Sequence, residues 1–569
     1  MSKSVIVAGG GVAGMSAAHE LAERGFRVRV FERQPSVPGG KARSVPVPGS
    51  ATGGRRPLPG EHGFRFFPGF YRHLPDTMKR IPDGAGRTAF DHLVPTQKMM
   101  MARFGKPPVE TLMHVPRSMA ELEEQLHALF DAHFGLAPDD VAFFAGKVWQ
   151  LLTSCHERRM EEYERLNWWD FLDADNRGEA YRTLFVNGLT RSLVAAKAKH
   201  MSVKTGGDIF LQLLFNMTNP AVTADRVLDG PTNDVWIDPW LAHLRGPLGV
   251  TYTFDAVATR FETDRRGVSA VWVSEGGRPP ERHTADYYVS AVPVEQMNLL
   301  LDDTLLARDP TLGGLRTLAT QVKWMNGLQF YLYEDVPICP GHVLYLDTPW
   351  ALTSISQAQF WPAYPLAACG DGTARGVISV DISDWNTPGL EAPEARNCVS
   401  AEAIKDEVWR QLCKSLDGEG GSPHLYDGLV RTWHLDGDIV REGSETTNAE
   451  PLLVNNAGTW GLRPDAYTAL PNLFLASDYV RTNTDLATME GANEAARRAV
   501  NGVLSAAGSR AKTCEVWDLH DPNVLAPLRW MDQNRYDRGQ PWRSAFPLPL
   551  RVAHRLFAEG QRLYARVAG

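Results

Sequence analysis

Val5-Ile6-Val7-Ala8-Gly9-Gly10-Gly11-Val12-Ala13-Gly14 lies near the start of the sequence, and its reading decides the fold. The β-branched, apolar run Val5 to Ala8 predicts a buried strand. It runs into Gly9-x-Gly11-x-x-Gly14, then into a helical stretch, Met15 to Arg24, closed by Gly25. A second apolar strand, Arg27 to Phe31, ends in Glu32. Strand, glycine turn, helix, strand and acid in that order form the dinucleotide-binding fingerprint. Gly9 allows the tight turn, Gly11 admits a pyrophosphate to the backbone, and Gly14 lets helix and strand pack closely. The N–H groups at the helix start, around Val12 and Ala13, and the positive end of its dipole would face the phosphates. Glu32 stands at the spacing of a carboxylate that accepts hydrogen bonds from a ribose. These residues alone leave a nicotinamide and a flavin dinucleotide both open.

At 569 residues the chain is too long for one core, so two or three domains are expected. A net charge of −8 argues against nucleic acid as a partner, since phosphate binding needs a basic footprint. Six cysteines are scattered without a Cys-x-x-Cys pair, which argues against a disulfide framework or a zinc site. A reducing cytoplasm is the expected compartment. The apolar run at the N-terminus merges with the glycine turn, which explains it without a secretion signal. No stretch reaches the roughly 18 uninterrupted apolar residues of a membrane span.

Behind Glu32 come Arg33, Pro35 and Gly39-Gly40-Lys41-Ala42-Arg43-Ser44. A glycine pair lets backbone crowd a cofactor, and basic residues beside it could meet phosphates. This stretch resembles the second FAD motif of the flavin amine oxidase and phytoene desaturase superfamily. The resemblance implies FAD as the cofactor, with Glu32 on the adenosine ribose and Arg43 against the flavin end. Arg33, Gly40 and Lys41 would line the cofactor beside them. It also implies an α/β architecture: a two-domain, FAD-binding Rossmann-like fold with a mixed-sheet substrate domain and a helical cap. Val45 to Pro59, rich in proline and glycine, reads as an exposed loop.

Glu61-His62-Gly63-Phe64-Arg65-Phe66-Phe67-Pro68-Gly69-Phe70-Tyr71 is similar to the segment that lines the flavin in plant-type carotene desaturases. By that resemblance the Gly63 backbone, Phe64 and Arg65 lie against the cofactor, and Arg65 is a candidate catalytic residue. Arg65 stands where the pattern has histidine, so the position keeps a polar side chain but loses one that titrates near neutrality. Pro68 is an extra residue relative to the pattern. An aromatic core segment is the lesser alternative for these side chains.

The block from Leu228 to Pro293 resembles the family's return to the nucleotide domain, with Val257 clamping the adenine through its backbone. Within it, Gly267 to Ser274 and His283 to Val289 read as an alternating hairpin. Near the C-terminus, Pro471 to Tyr479 and Thr488 to Leu504 resemble the last FAD motif. There Asp478 falls on the aspartate that holds the ribityl chain, and the turn from Met489 to Ala492 aims N–H groups at the flavin pyrimidine. Lys323 lies in the region where amine oxidases hold a lysine near flavin N5; a plain surface lysine is the other reading. Gln321 to Tyr333 and Gly376 to Ile382 read as strands, and Ala401 to Leu416 as an amphipathic helix followed by a loop, Gly418 to Pro423.

The expected division is residues 1–90, 226–295 and 451–510 for the FAD-binding domain, 91–225 for the helical cap, 296–450 for the substrate sheet and 511–569 for a C-terminal extension. In the cap, Ser118 to Leu129 and Asp139 to Leu152 read as helices. The Trp168-Trp169-x-Phe171 cluster could line an apolar tunnel or form plain core. The basic amphipathic helix Leu550 to Val567 could rest on anionic lipid or dock on the protein itself. The family resemblance implies an FAD-dependent oxidoreductase that desaturates or dehydrogenates a small apolar isoprenoid, carotenoid or squalene-like. A flavin amine or amino-acid oxidase, or a terpenoid isomerase or dehydroxylase, would use the same fold.

Overall fold

The β-branched run at the N-terminus forms a strand, Ser4–Ala8, at the centre of a five-stranded parallel sheet. The structure is a computed structural model that describes residues 2–113, 135–188, 190, 196–219, 222–417, 425–443 and 445–543. The expected helices Ser118 to Leu129 and Leu550 to Val567, and the loop Gly418 to Pro423, lie outside the described residues. Across the sheet the order is Leu473–Leu475, Tyr287–Ser290, Ser4–Ala8, Arg27–Phe31 and Thr251–Thr253. Val5 to Ala8 are at most 1% exposed, as a parallel strand covered on both faces requires. The helix begins at Val12, three residues before the expected start, and runs to Glu23. It packs on the C-terminal helix Met489–Ala506, where Asn493 Nδ2 donates to Ser16 Oγ at 2.8 Å. Residues from the beginning, middle and end of the chain thus build one sheet.

A second, seven-stranded mixed sheet belongs to the same compact unit. Its order is Val430–Leu435, Asn326–Leu332, Gly376–Ile382, Leu352–Ser356, His342–Tyr345, Lys98–Arg103 and Lys106–Leu112. Strand alternation sorts its two faces. Leu328, Phe330, Ile378, Val380 and Ile382 share one core with Ile404, Val408 and Leu412 of the helix Ala401–Leu416. Gln329, Tyr331, Ser379, Asp381, Thr353 and Ile355 occupy the opposite face.

Two stretches differ from their expected structure. Residues 93–112, placed with the helical cap, form strands. The run Lys98-Met-Met-Met-Ala-Arg103 has no polar alternation to mark a strand, and only the sheet assigns Met100 and Ala102 to its buried side. Residues 296–318, placed with the substrate sheet, lie in short helices whose Leu300, Leu305, Leu312, Leu315 and Leu318 complete the core around the parallel sheet. The expected hairpin stops at Glu281–His283, and Tyr287–Ser290 crosses to the parallel sheet.

The other compact unit is helical. Pro138–Thr153, Trp168–Phe171 and neighbouring turns enclose Leu151, Tyr163, Trp168, Phe171, Tyr181 and Val186. The tryptophan cluster is core: Trp168 is 1% exposed. The tail, expected as a separate extension, is divided: residues through Leu519 belong to the first unit, and His520 onward to this one. Arg158, fully buried, donates from Nε to Asp532 Oδ2 at 2.9 Å, and the same oxygen accepts the Cys155 N–H at 2.9 Å. That charge-assisted pair fixes the helix Ala526–Tyr536.

A Cβ on Gly14 would lie 1.9 Å from the Gly9 carbonyl oxygen. Gly14→Ala should therefore cost about 3 kcal/mol of stability, the upper part of the overpacking range. A urea midpoint equal to the parent's would show that helix and turn can separate without cost.

Candidate functional site

The glycine turn meets the second glycine pair directly. Gly11 bridges to Gly39, and a Cβ on Gly40, whose φ is +57°, would lie 3.0 Å from Gly11 Cα. The helix that follows has no side-chain cap and no acidic residue in its first turn, so its leading N–H groups are available to an anion. Glu32 accepts the Gly10 N–H through Oε2 at 2.7 Å and the Gln34 N–H through Oε1 at 2.7 Å. Burial pushes its carboxyl above the usual range, and the two N–H donors pull it back. The Glu32 carbonyl accepts the Ala256 N–H at 2.8 Å, which sets Val257 beside it. Val257 is 41% exposed, a large apolar side chain at the rim of the turn.

The expected residues from the C-terminal motif reach the same place. Lys41 is half-buried, and desolvation works against its charge, but Glu295, Asp478 and Glu450 raise its pKa above the usual lysine value. Asp478 is half-buried and accepts from Ser477 Oγ at 3.2 Å. Thr488 caps the helix at Met489 by accepting the Gly491 N–H at 3.1 Å, leaving Met489 and Ala492 half-buried at its start. Tyr71, from the end of the aromatic loop, hydrogen-bonds Thr488. Arg33 pairs with Glu450, and Arg43 donates to both oxygens of Asp438 at 2.8 and 2.7 Å.

These residues fit a dinucleotide. No side chain separates Gly11 from Gly40, and both Glu295 carboxylate oxygens are buried without a hydrogen-bond donor. Gly9, Gly11, Val12, Ala13, Gly14, Glu32 and Val257 could hold its adenosine and pyrophosphate end. Gly40, Lys41, Asp478, Met489 and Ala492 could hold the remainder.

Residues 59–65 cross the open face of the seven-stranded sheet. The Gly327 N–H donates to the His62 carbonyl at 2.6 Å, and Gln329 exchanges two hydrogen bonds with the Glu61 backbone. A Cβ on Gly63 would lie 2.7 Å from Asp381 Oδ1, so only glycine lets this loop approach the carboxylate so closely. Arg65 donates to the Lys41 carbonyl and is half-buried; its desolvation lowers its pKa against the pull of Glu61 and Asp381. It lines a cavity with Val227, Ile355, Gln357, Phe360 and Trp361. Arg65 Nε in this wall, and Asp381 Oδ1, Thr353 Oγ1 and His342 Nε2 on the seven-stranded sheet, are buried without a partner.

Lys323 is exposed, on a two-residue ladder with Leu452–Leu453, and takes the alternative reading of a surface lysine. Asp381, Asp436 and Asp438 carried no sequence signal. His62 Nδ1 lies 2.7 Å from Asp436 and 3.2 Å from Asp438, a metal-like triad on spacing alone. Arg43 already neutralises Asp438, however, and although burial depresses the imidazole, Asp436 and Asp438 carry it up to about 9. The triad reads as an imidazolium clamped by carboxylates.

Two outcomes follow from these contacts. Glu32→Ala removes both a ribose acceptor and the Gly10 tether, and should weaken FAD retention on gel filtration by about 10- to 100-fold, the weight of a charged hydrogen bond. His62, raised from 6.5 to about 9, contributes stability that is complete below pH 6.5 and lost as pH rises through 9. The urea midpoint should fall across that window, and His62→Gln should remove that part of the fall.

The sequence profile of flavin-containing amine oxidoreductases matches residues 12–504 of the chain. The chain is 26% identical over 535 residues to the carotenoid phi-ring synthase of Streptomyces griseus, across 92% of each protein. Putrescine oxidase bound to putrescine aligns with a TM-score of 0.57 and 11% identity, over 89% of this chain and 99% of that one. Cyclohexylamine oxidase from Brevibacterium oxydans aligns at 0.56 and 12%, over 89% of this chain and 99% of that one. At such identity the two oxidases show the fold alone. The glycine turn, the three-part parallel sheet and the family match agree: the chain belongs to the flavin-containing amine oxidoreductases, is an enzyme, and uses FAD.

Proposed function

We propose that this enzyme dehydrogenates an apolar isoprenoid, a carotenoid or squalene-like chain. The carrying observation is the full-length similarity to an enzyme named for a carotenoid ring. Phe64, Val227 and Ile355 form one apolar cluster close to Arg65, with Phe66, Val94 and Phe360 packed against it, the aromatic and branched residue types that suit a hydrocarbon, which offers no hydrogen bonds. When bound, FAD supplies a two-electron acceptor; the chain's own work is to exclude water and orient the C–H bond. The half-buried Arg65 guanidinium disfavours an ammonium substrate but would suit a carboxylate, so an amino-acid oxidase is the second reading. Isoprenoids of this size dissolve in bilayers, so the proposal includes a cytoplasmic enzyme that works in peripheral contact with a membrane. No helix among the described residues is long and apolar enough to cross one.

Anaerobic titration separates the two readings. A polyisoprenoid delivered in liposomes should bleach the flavin, and amines and amino acids should not. Bleaching by an amino acid, with peroxide on readmitting air, would overturn the isoprenoid reading.

A further inference from the structure

Five strand ends line one edge of the parallel sheet, and their order follows the order of parts in a dinucleotide. Thr251–Thr253 and Arg27–Phe31 lie at one flank, followed by Ser4–Ala8, Tyr287–Ser290 and Leu473–Leu475. All neighbours run parallel, so the residues after each strand emerge along one edge, where such sheets take their ligands. Val257 and Glu32 follow the first two strands and stand at the adenosine flank. The glycine turn follows the middle strand, and its helix start suits the pyrophosphate. Ser477 and Asp478 follow the far strand. Between the turn and Asp478 lies Tyr287–Ser290, about 4.8 Å from each neighbour, and it delivers Glu295.

The chain after Ser290 is held from both sides. The Ala291 N–H donates to the Ala8 carbonyl at 2.7 Å, and the Ala476 N–H to the Ser290 carbonyl at 2.8 Å. Pro293 leads into the short helix Val294–Leu300, which carries Glu295. Both Glu295 carboxylate oxygens are buried, and neither has a hydrogen-bond partner. Acceptors buried bare cost stability and call for donors from outside the chain. Burial pushes the carboxyl above its usual range, Lys41 pulls it back, and Asp478 and Glu450 oppose Lys41. Lys41 follows the glycine pair that faces Gly11, yet it hydrogen-bonds neither Glu295 oxygen.

A pyrophosphate presents acceptors alone, so it cannot satisfy a carboxylate. Counting away from adenosine, the next part of FAD is the ribityl chain, whose hydroxyls are donors. We propose that Glu295 accepts hydrogen bonds from the ribityl hydroxyls of FAD, beside Asp478 and with Lys41 as counter-charge, whatever substrate the enzyme takes. The sheet then reads its cofactor strand by strand: one carboxylate for the ribose, a bare helix start for the phosphates, and two carboxylates for the sugar alcohol. Hydroxyls bound to fixed carboxylates hold the chain extended along the edge and so set how far the flavin reaches past it.

The test uses the FAD-loaded protein and reads cofactor release, not turnover. Flavin fluorescence recovered after dilution gives the release rate. Glu295→Gln should speed FAD release by about 10- to 100-fold, the weight of hydrogen bonds to a charged group, and Glu295→Asp should lie between it and the parent. The cofactor is then exchanged for an FAD analogue with an unbranched five-carbon chain in place of ribityl. The parent should release this analogue faster than FAD by at least the same factor. Glu295→Gln should add little to that rate, because the hydroxyls it served are gone. Phosphorus NMR of bound FAD should show both pyrophosphate resonances in place in Glu295→Gln. Equal acceleration with both cofactors and displaced phosphorus resonances would put Glu295 against the pyrophosphate; equal acceleration with fixed resonances would make it structural only. Either result, or an unchanged FAD release rate, overturns the assignment.

Discussion

Glu32 joins three separate pieces of chain at one buried point. Its side chain takes the Gly10 and Gln34 N–H groups, and its carbonyl takes that of Ala256. The glycine turn, the end of the second strand and the returning middle segment are thereby held in one register. Tyr252 Oη adds a hydrogen bond to the Gly10 carbonyl at 2.8 Å from the sheet edge. Without this convergence the turn could not face the Gly39–Gly40 backbone, and the lysine, aspartate and helix start farther on would have nothing to align with. A carboxylate buried this deeply is costly unless its donors are fixed, and here strands and turn fix them.

The second constraint is steric. Gly63 and Gly327 bring the aromatic loop onto the seven-stranded sheet, closer than any side chain would allow. The loop then delivers Arg65 to one side of the sheet and Tyr71 to the start of the C-terminal helix. Polar atoms elsewhere along this contact are matched, as in the double exchange between Gln329 and the Glu61 backbone. Near this contact Asp381 Oδ1, Thr353 Oγ1 and His342 Nε2 are left without a partner.

The fold was legible in the sequence where local rules and global placement agree. The glycine turn, its helix and the acid after the second strand follow from spacing, and family resemblance supplied the returning strands. Legibility failed where a residue's meaning is set by its neighbours across a sheet. The Met99–Ala102 run has no periodicity of its own. Asp381 sits in an apolar strand with nothing before or after it to mark the carboxylate, because its partners come from residues 63–65 and 353. Asp436 and Asp438 flank a glycine and read as an ordinary turn until His62 and Arg43 are placed against them. The exposure of Lys323 likewise depends on a ladder formed with Leu452.

The order of strands in the parallel sheet bears on how the protein is made. The strand at the centre is translated first, and one of its two neighbours lies far downstream, since Ser4 meets Asp286 across 282 residues. At ribosomal speeds of roughly 5–20 residues per second, that flank stays bare for tens of seconds, and the strand beyond it arrives later still. A naked, β-branched edge in a nascent chain invites wrong partners. The same layout that gathers distant segments around one cofactor therefore makes biosynthesis of the enzyme dependent on shielding of its earliest strand until nearly the whole polypeptide has emerged.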